Sequence, residues 1–397
     1  MIKIKSSGGP MYITSILDND LYKFSMGQAV NVLYPGEVVR FEFFNRGKTQ
    51  FPQGFEQALR TELRMMKLLS LKDEEAEFLE KKCPYLTPVY INFLKGYRYE
   101  PENEITITQN GGDLSIIISG FWHRVIYWEV PIMALVSELY FKLTGQTQIT
   151  NSVDVAMKKA ARLLELKANY ADFGTRRRYS FKNHLRVAET LATHGKPYFV
   201  GSSNVYISML LDMAPKGTQA HEWTQFHAAR YGFPMANEMA LKKWVEVYQG
   251  DLGIALPDTY TTEVFLRSFN SLYAKLFDGV RQDSGDPYVF TDKVIEHYKK
   301  LRINPQHKTI IYSDGLDLNM VEAIQNYRRD EISRSYGIGT FLTNDVGLKP
   351  LNIVIKMTGW WNGSGWVPVV KYSDNPGKHT GCPETISLCK KILHIPA

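Results

Sequence analysis

Cysteine is scarce. The 397 residues contain three, Cys83, Cys382 and Cys389. They form neither a CxxC pair nor a metal-binding spacing, which argues against a disulfide framework and leaves free thiols suited to a reducing compartment. Long hydrophobic runs are missing too. The most apolar stretch, residues 130–143, carries Glu138 and Lys142 and is too short and charged to cross a bilayer. The opening Met1-Ile2-Lys3-Ile4-Lys5-Ser6 lacks the apolar run of a secretion signal, so a cytoplasmic protein away from membranes is expected. Charge of one sign is also in short supply. Lys and Arg number 47 against 41 Asp and Glu, a net +6, and the basic residues are dispersed apart from short runs such as Arg176-Arg177-Arg178. Without a concentrated basic stripe, nucleic acid is not an expected partner, whereas a mild positive balance suits small acidic substrates, phosphates especially. Two cofactor signatures are absent as well. There is no GxxxxGK[ST] loop, and Gly337-Ile338-Gly339 lacks the third glycine of a dinucleotide fingerprint.

What is present can fill a large fold. Hydrophobic residues make up 44%, aromatics 13% and charged residues 22%, enough for two domains or one elaborated one. Residues 1–150 are expected to form a small α/β domain. Asp18 or Asn19 is placed to cap a helix whose apolar face begins at Leu21 and Phe24. Residues 38–44 alternate like a half-buried strand ending at Asn45-Arg46-Gly47. Helical patterns over 54–71 and 73–82 follow. Residues 104–109 and 114–119 then flank Asn110-Gly111-Gly112-Asp113, a hairpin turn tolerant of positive φ. The segment 349–397 supplies two more strands and is expected to return to this first domain.

Residues 151–348 alternate helical runs with short apolar runs, and nearly every apolar run ends in a polar or glycine-rich cluster. The clusters include Asp172-Phe173-Gly174-Thr175-Arg176, Gly201-Ser202-Ser203-Asn204, Arg281-Gln282-Asp283-Ser284-Gly285, Ser313-Asp314-Gly315 and Gly337-Ile338-Gly339-Thr340. Units repeating at roughly 20–40 residues fit a (β/α) barrel, whose site collects at the strands' C-terminal ends; a doubly wound sheet is the alternative. Among them, Gly217-Thr218-Gln219-Ala220-His221-Glu222-Trp223 puts one imidazole at the start of a helical run, where anions are favoured. Such a histidine is either a nucleophile or a structural hydrogen bonder.

Serine, threonine and glycine at strand ends suit phosphate, and Arg46, Arg176, Arg281, Lys356 and Lys378 can supply charge-assisted contacts. Asp283 and Asp314 suit ribose hydroxyls or a magnesium ion. Phe173 and Tyr22 suit a flat ring, or else the core. Gly174, Gly285 and Gly315 also fit plain tight turns. Asp258 and Asp317 read as helix caps, and Arg177 and Arg178 as surface residues.

Taken together, residues 18–26, Ala171-Asp172-Phe173-Gly174-Thr175-Arg176-Arg177, the Gly201–Asn204 loop, the His221 segment, Val280-Arg281-Gln282-Asp283-Ser284-Gly285-Asp286-Pro287 and Tyr312-Ser313-Asp314-Gly315 closely resemble nicotinate phosphoribosyltransferase, in the type II phosphoribosyltransferase family. The resemblance runs in the family's order over nearly the whole chain. It implies an irregular (β/α) barrel with a smaller N-terminal α/β domain and a homodimer with shared active sites. It also implies an ATP-dependent enzyme of NAD salvage that joins nicotinate to phosphoribosyl pyrophosphate, with Mg2+, through a phosphorylated His221. Catalysis would fall to His221, Arg281 and Asp283, with Asp283 a metal ligand. Phe173 and a partner's Tyr22 would sandwich the pyridine ring, and Arg176 and Arg281 would face carboxylate or phosphates. Ser313, Asp314, Gly315, Gly339 and Thr340 would hold the 5′-phosphate, while Arg46 and Lys356 would reach in from the partner. The nicotinamide-using relative carries an acidic residue in the loop matching Gly201–Asn204. Here Ser203 and Asn204 are neutral, so nicotinate is the expected base. The alternatives are nicotinamide as substrate, or a catalytically silent phosphate-binding regulator on the same fold.

Overall fold

In Val38–Asn45 (β1), Val39, Phe41 and Phe43 are buried and their neighbours are not, the period-two pattern that one covered sheet face imposes. Ile105–Asn110 (β2) and Asp113–Phe121 (β3) form the expected hairpin, with Gly111 at φ 56° in its turn, and β3 pairs antiparallel with β1. These strands belong to a computed structural model that describes residues 12–217 and 219–395. Residues 1–11 of the expected first domain, Thr218 of the turn before His221, and 396–397 lie outside the described residues.

The next strands are short: Tyr170–Asp172 (β4), Phe199–Ser202 (β5), Gln249–Leu252 (β6), Ile254–Ala255 (β7), Gly279–Gln282 (β8), Thr309–Tyr312 (β9) and Ser333–Ile338 (β10). All but β6 form one parallel sheet in the order β5-β4-β10-β9-β8-β7. That order is a ring interrupted once. Strands β7 to β10 are neighbours in chain order, and the last strand, β10, pairs with the first, β4, through Tyr336↔Tyr170, Gly337↔Ala171 and Ile338↔Asp172. Among the described residues no ladder joins β5 to β7, so the expected barrel is met by an open six-stranded sheet. Chain segments line the β5 side of the break. The backbone N–H of Lys216 donates to Ser202 O (2.8 Å), and that of Leu21 to Ser203 O (2.8 Å).

The tail divides. Ile353–Trp361 (β11) pairs antiparallel with β1, with Trp366–Pro368 (β12) at its outer edge. The first sheet is therefore β12-β11-β1-β3-β2, built from both ends of the chain. The final helix, Pro383–Leu393, does not join it. Its Cys389 and Leu393 pack with Ala228, Ala236, Tyr260 and Val264 instead. The fold is thus α/β with one antiparallel and one parallel sheet, and no described helix is long and apolar enough to cross a membrane.

Between the sheets lies the helix His221–Tyr231. Phe226 meets Trp122 (ring centroids 4.5 Å), Tyr34 (4.8 Å) and Trp360 of β11 (5.9 Å), and Trp223 meets Trp244 (5.6 Å). Aromatic pairs of this kind contribute roughly 0.5–1.5 kcal/mol each beyond their buried area, so the helix that starts at His221 is firmly held.

Candidate active site

His221 opens its helix with three kinds of neighbour. Nδ1 lies 3.1 Å from Thr259 Oγ1, and Nε2 lies 3.1 Å from Asp283 Oδ2, 3.6 Å from Asp258 Oδ1 and 2.8 Å from Lys371 Nζ. One ring nitrogen can either donate to the carboxylate or accept from the ammonium. Burial, then the charge of Lys371, push the imidazole down to about 4 against the pull of Asp258 and Asp283. The ring is therefore neutral near pH 7; in the tautomer with Nδ1–H on Thr259, Nε2 keeps a lone pair that faces Lys371 Nζ, and in the other it donates to Asp283. Burial alone would raise Asp283, but Arg281 and His221 hold it well below the usual carboxylate range; Arg281 Nη2 is 3.3 Å from its Oδ2.

Two members of this cluster escape the sequence. Asp258, expected as a helix cap, accepts from Ser284 Oγ (2.6 Å) and pairs with Lys371 (3.1 Å). Lys371 itself is 150 positions from His221, and no spacing rule ties a lysine of the tail to a distant turn. Asp317 does cap a helix, accepting from Met320 N at 2.8 Å. A divalent ion fits the donor set. His221, Asp258 and Asp283 bring ligand atoms within 4.8 Å of one another, two of the three are hard oxygen donors of the kind magnesium takes, and Asp258 Oδ1 is buried without a hydrogen-bond partner.

Beside this cluster lies the β9 loop. Ser313 Oγ is 3.0 Å from Asp283 Oδ1, and Lys378 Nζ donates to Asp283 O (2.7 Å) and pairs with Asp314. Gly315 sits at φ 58° with open space where a Cβ would be, so backbone conformation, not crowding, selects glycine there. At the end of β10, Gly337 lies under the Phe173 ring. A Cβ there would come within 2.4 Å of the ring, and Phe173 N donates to Ile338 O at 2.8 Å. Gly339 and Thr340 follow at the same strand end, where Thr340–Thr343 forms a single helical turn.

On the other flank, Asp172 ties two loops together. Its Oδ2 takes Ser202 Oγ (2.7 Å) and His184 Nε2 (2.5 Å), and its Oδ1 accepts from Gly174 N (2.8 Å). The Gly201–Asn204 loop is less neutral in its surroundings than its own residues imply. Ser203 Oγ donates to Asp20 (2.8 Å), and Asn204 Nδ2 to Asp18 (2.7 Å). Asp18 caps nothing; Arg178 grips it from both sides at 2.6 and 2.7 Å. Arg178 is wholly buried, not the expected surface residue. Arg176 is half-exposed here, 3.5 Å from Glu129 Oε1. Tyr22 OH donates to the same glutamate at 3.3 Å.

Arg46 directly follows β1 of the antiparallel sheet, and Lys356 of β11 stands opposite Glu42 of β1 in its register. Burial, then Lys371 and Arg46, push the Lys356 ammonium down to about 7 against the pull of Asp283. Burial, then Arg176 and Arg46, likewise push Arg177 down to about 10. Arg46 and Lys356 were expected from a partner, yet their own chain already brings Lys356 within electrostatic reach of Asp283 and Arg176, and Arg46 within reach of Lys356 and Arg177. Tyr22, also expected from a partner, shares Glu129 with Arg176 of the same chain. The physical reason is the pairing of β11 with β1, which lays the sheet over the His221 helix.

The nicotinate phosphoribosyltransferase (NAPRTase) family matches residues 168–397, and the N-terminal domain of that family matches 17–137. The chain is 48% identical over 384 residues to the nicotinate phosphoribosyltransferase of Chromohalobacter salexigens, covering 96% of this chain and 98% of that one. Against that of Desulforapulum autotrophicum it is 47% identical, covering 96% and 99%. The crystal structure of the Porphyromonas gingivalis enzyme of that name superposes with TM-score 0.94 at 43% identity, covering 96% of this chain and 100% of the other.

Proposed function

The chain belongs to the nicotinate phosphoribosyltransferase family, and from that premise we propose that it transfers a phosphoribosyl group from phosphoribosyl pyrophosphate to nicotinate, yielding nicotinate mononucleotide and pyrophosphate for NAD salvage. The observation that carries this is the convergence of Arg281, Lys371, Lys356 and Arg176 on Asp283. A basin with so many cations around one carboxylate suits a polyanion that arrives and leaves as pyrophosphate. Departure of that group gives C1 oxocarbenium character, so positioning and charge stabilisation are what the protein must supply. Phe173 and Tyr22 would flank the pyridine ring and Arg176 would face its carboxylate. Ser313, Asp314, Gly315, Gly339 and Thr340 would cradle the 5′-phosphate, and Arg281 with Lys378 would fix the Asp283 loop. Magnesium, held by Asp283 and Asp258, would neutralise charge on the phosphates. We read the interrupted ring of strands as the family's irregular barrel.

ATP enters through His221. Neutral, with its Nε2 lone pair available, the imidazole can attack the γ-phosphorus; the bond to ADP breaks, and water later cleaves the phosphohistidine to return imidazole and phosphate. Asp20 beside Ser203 favours a second reading, since its carboxylate could accept from the amide of nicotinamide. Half-exposed Arg176 favours nicotinate.

Product formation from nicotinate, nicotinamide and quinolinate, each with and without ATP and magnesium, separates these readings. Nicotinate mononucleotide from nicotinate alone, with ADP formed alongside, is expected. In His221→Ala, ATP hydrolysis should vanish along with ATP stimulation. Comparable product from nicotinamide would overturn the base assignment, and ATP stimulation surviving in His221→Ala would overturn the phosphohistidine.

A further inference from the structure

Lys23 is fully buried, with Nζ 2.6 Å from Glu129 Oε2 and 2.7 Å from Glu222 Oε2, two acids also nearly buried. Removing charges from water costs several kcal/mol per ion, and apolar residues of similar volume commonly fill such a site at no loss of stability. An apolar side chain would find company here, because the Tyr22 and Phe41 rings lie 5.2 and 5.4 Å from Nζ. Packing alone gives no reason for an ion at this place.

Its connections give one. Glu129 also takes the Tyr22 hydroxyl and faces Arg176, whereas Glu222 is the residue next to His221 in the first turn of its helix. The result is one line of alternating charge, Arg176–Glu129–Lys23–Glu222, which begins at a half-exposed cation and ends beside the imidazole. Its four charges sum to zero, and only Arg176 is open to solvent. We propose that this buried ion line couples occupancy of Arg176 by a carboxylate-bearing base to the state of His221, with Lys23 and Glu222 as positioning residues. The proposal rests on the function set out above, in which the base binds at Arg176 and ATP acts through His221.

The coupling follows from competition. A substrate carboxylate that draws Arg176 away leaves Glu129 with Lys23 as its remaining charged partner. Lys23 is then held more toward Glu129 and less toward Glu222, and the first turn carrying His221 is released. In the reverse direction, a phosphoryl group on His221 repels Glu222, loosens its hold on Lys23 and leaves Arg176 freer for the base. Linkage makes the two effects reciprocal in binding free energy, though their rates need not match.

The test compares wild type with Lys23→Met, Glu222→Gln and the double variant Lys23→Met/Glu222→Gln. The double variant removes both ends of the Lys23–Glu222 pair and leaves Glu129 with Arg176 and the Tyr22 hydroxyl as its partners, so no buried charge stands alone. Two quantities are read: the ratio of nicotinate KM without ATP to that with ATP, and the stimulation of ATP hydrolysis by nicotinate. In wild type each effect should be about fivefold or more, the lower end of ordinary coupling. In all three variants both should fall to unity, while transfer without ATP persists; Lys23→Arg should restore part of the coupling. Variants that keep the wild-type ratios would overturn the ion line and leave the proposed function standing. A wild type with no ATP effect on nicotinate KM would overturn the ATP coupling itself, and the ion line with it.

Discussion

A lysine held near neutral pH is a sensitive ligand for phosphate, because only its ammonium form donates charge-assisted hydrogen bonds. Lys356 is such a residue, pushed down to about 7 by burial and by Lys371 and Arg46. Its charged form is present below that pH and lost above it. The kcat/KM for phosphoribosyl pyrophosphate, which reports groups of the free enzyme, should therefore fall as pH rises through about 7. Lys356→Arg keeps its charge and should carry the fall to alkaline pH; superposable profiles would remove Lys356 from the phosphate site. His221, pushed down to about 4, is neutral throughout this range and cannot be the source of the fall. Both shifts arise from burial among cations, a property of the assembled site and not of either residue's neighbours in sequence.

At the scale of elements, the loops after β4 and β5 are set by buried ions. Arg178 clamps Asp18 with two bonds, and Asp18 holds Asn204, so one guanidinium fixes the lead into the first helix and, through it, the loop after β5. Truncating one partner of a buried pair leaves the other unpaired, at about 3–5 kcal/mol. Arg178→Met should lose stability of that order in urea unfolding; a change below about 1 kcal/mol would show that the pair is readily replaced. The strands and turns themselves were legible, because period-two burial in β1, the Gly111 turn and polar clusters ending short apolar runs are local signals. The ions were not. Asp18 and Asp258 look like caps and Arg178 like surface as long as only neighbours along the chain are considered, Lys23 stands in the 18–26 segment with nothing to mark its partners, and Glu129 and Lys371 carry no motif at all. Each acquires its role from a segment far away in the chain. The gap between β5 and β7 has the same origin, since period and spacing indicate strands but not which pair of them goes unbonded.

For the whole molecule, the decisive pairing is β11 with β1. It joins the two ends of the chain into one sheet and brings Lys356, with Arg46 near it, within electrostatic reach of the same chain's Asp283 and Arg176. The family resemblance assigns these residues, with Tyr22, to a partner subunit, and the two arrangements differ in a measurable way. If sites were shared across a dimer, mixing Lys356→Ala with His221→Ala would create some sites with both residues intact, and activity would reappear. A site built within one chain gains nothing from mixing, because every chain still lacks one of the two groups. Co-expressed variants should therefore show no activity above the sum of the separate proteins, and wild-type specific activity should stay constant on dilution through the range where a weak dimer dissociates. Recovery of activity in the mixture would place the antiparallel sheet of one subunit over the His221 cluster of another.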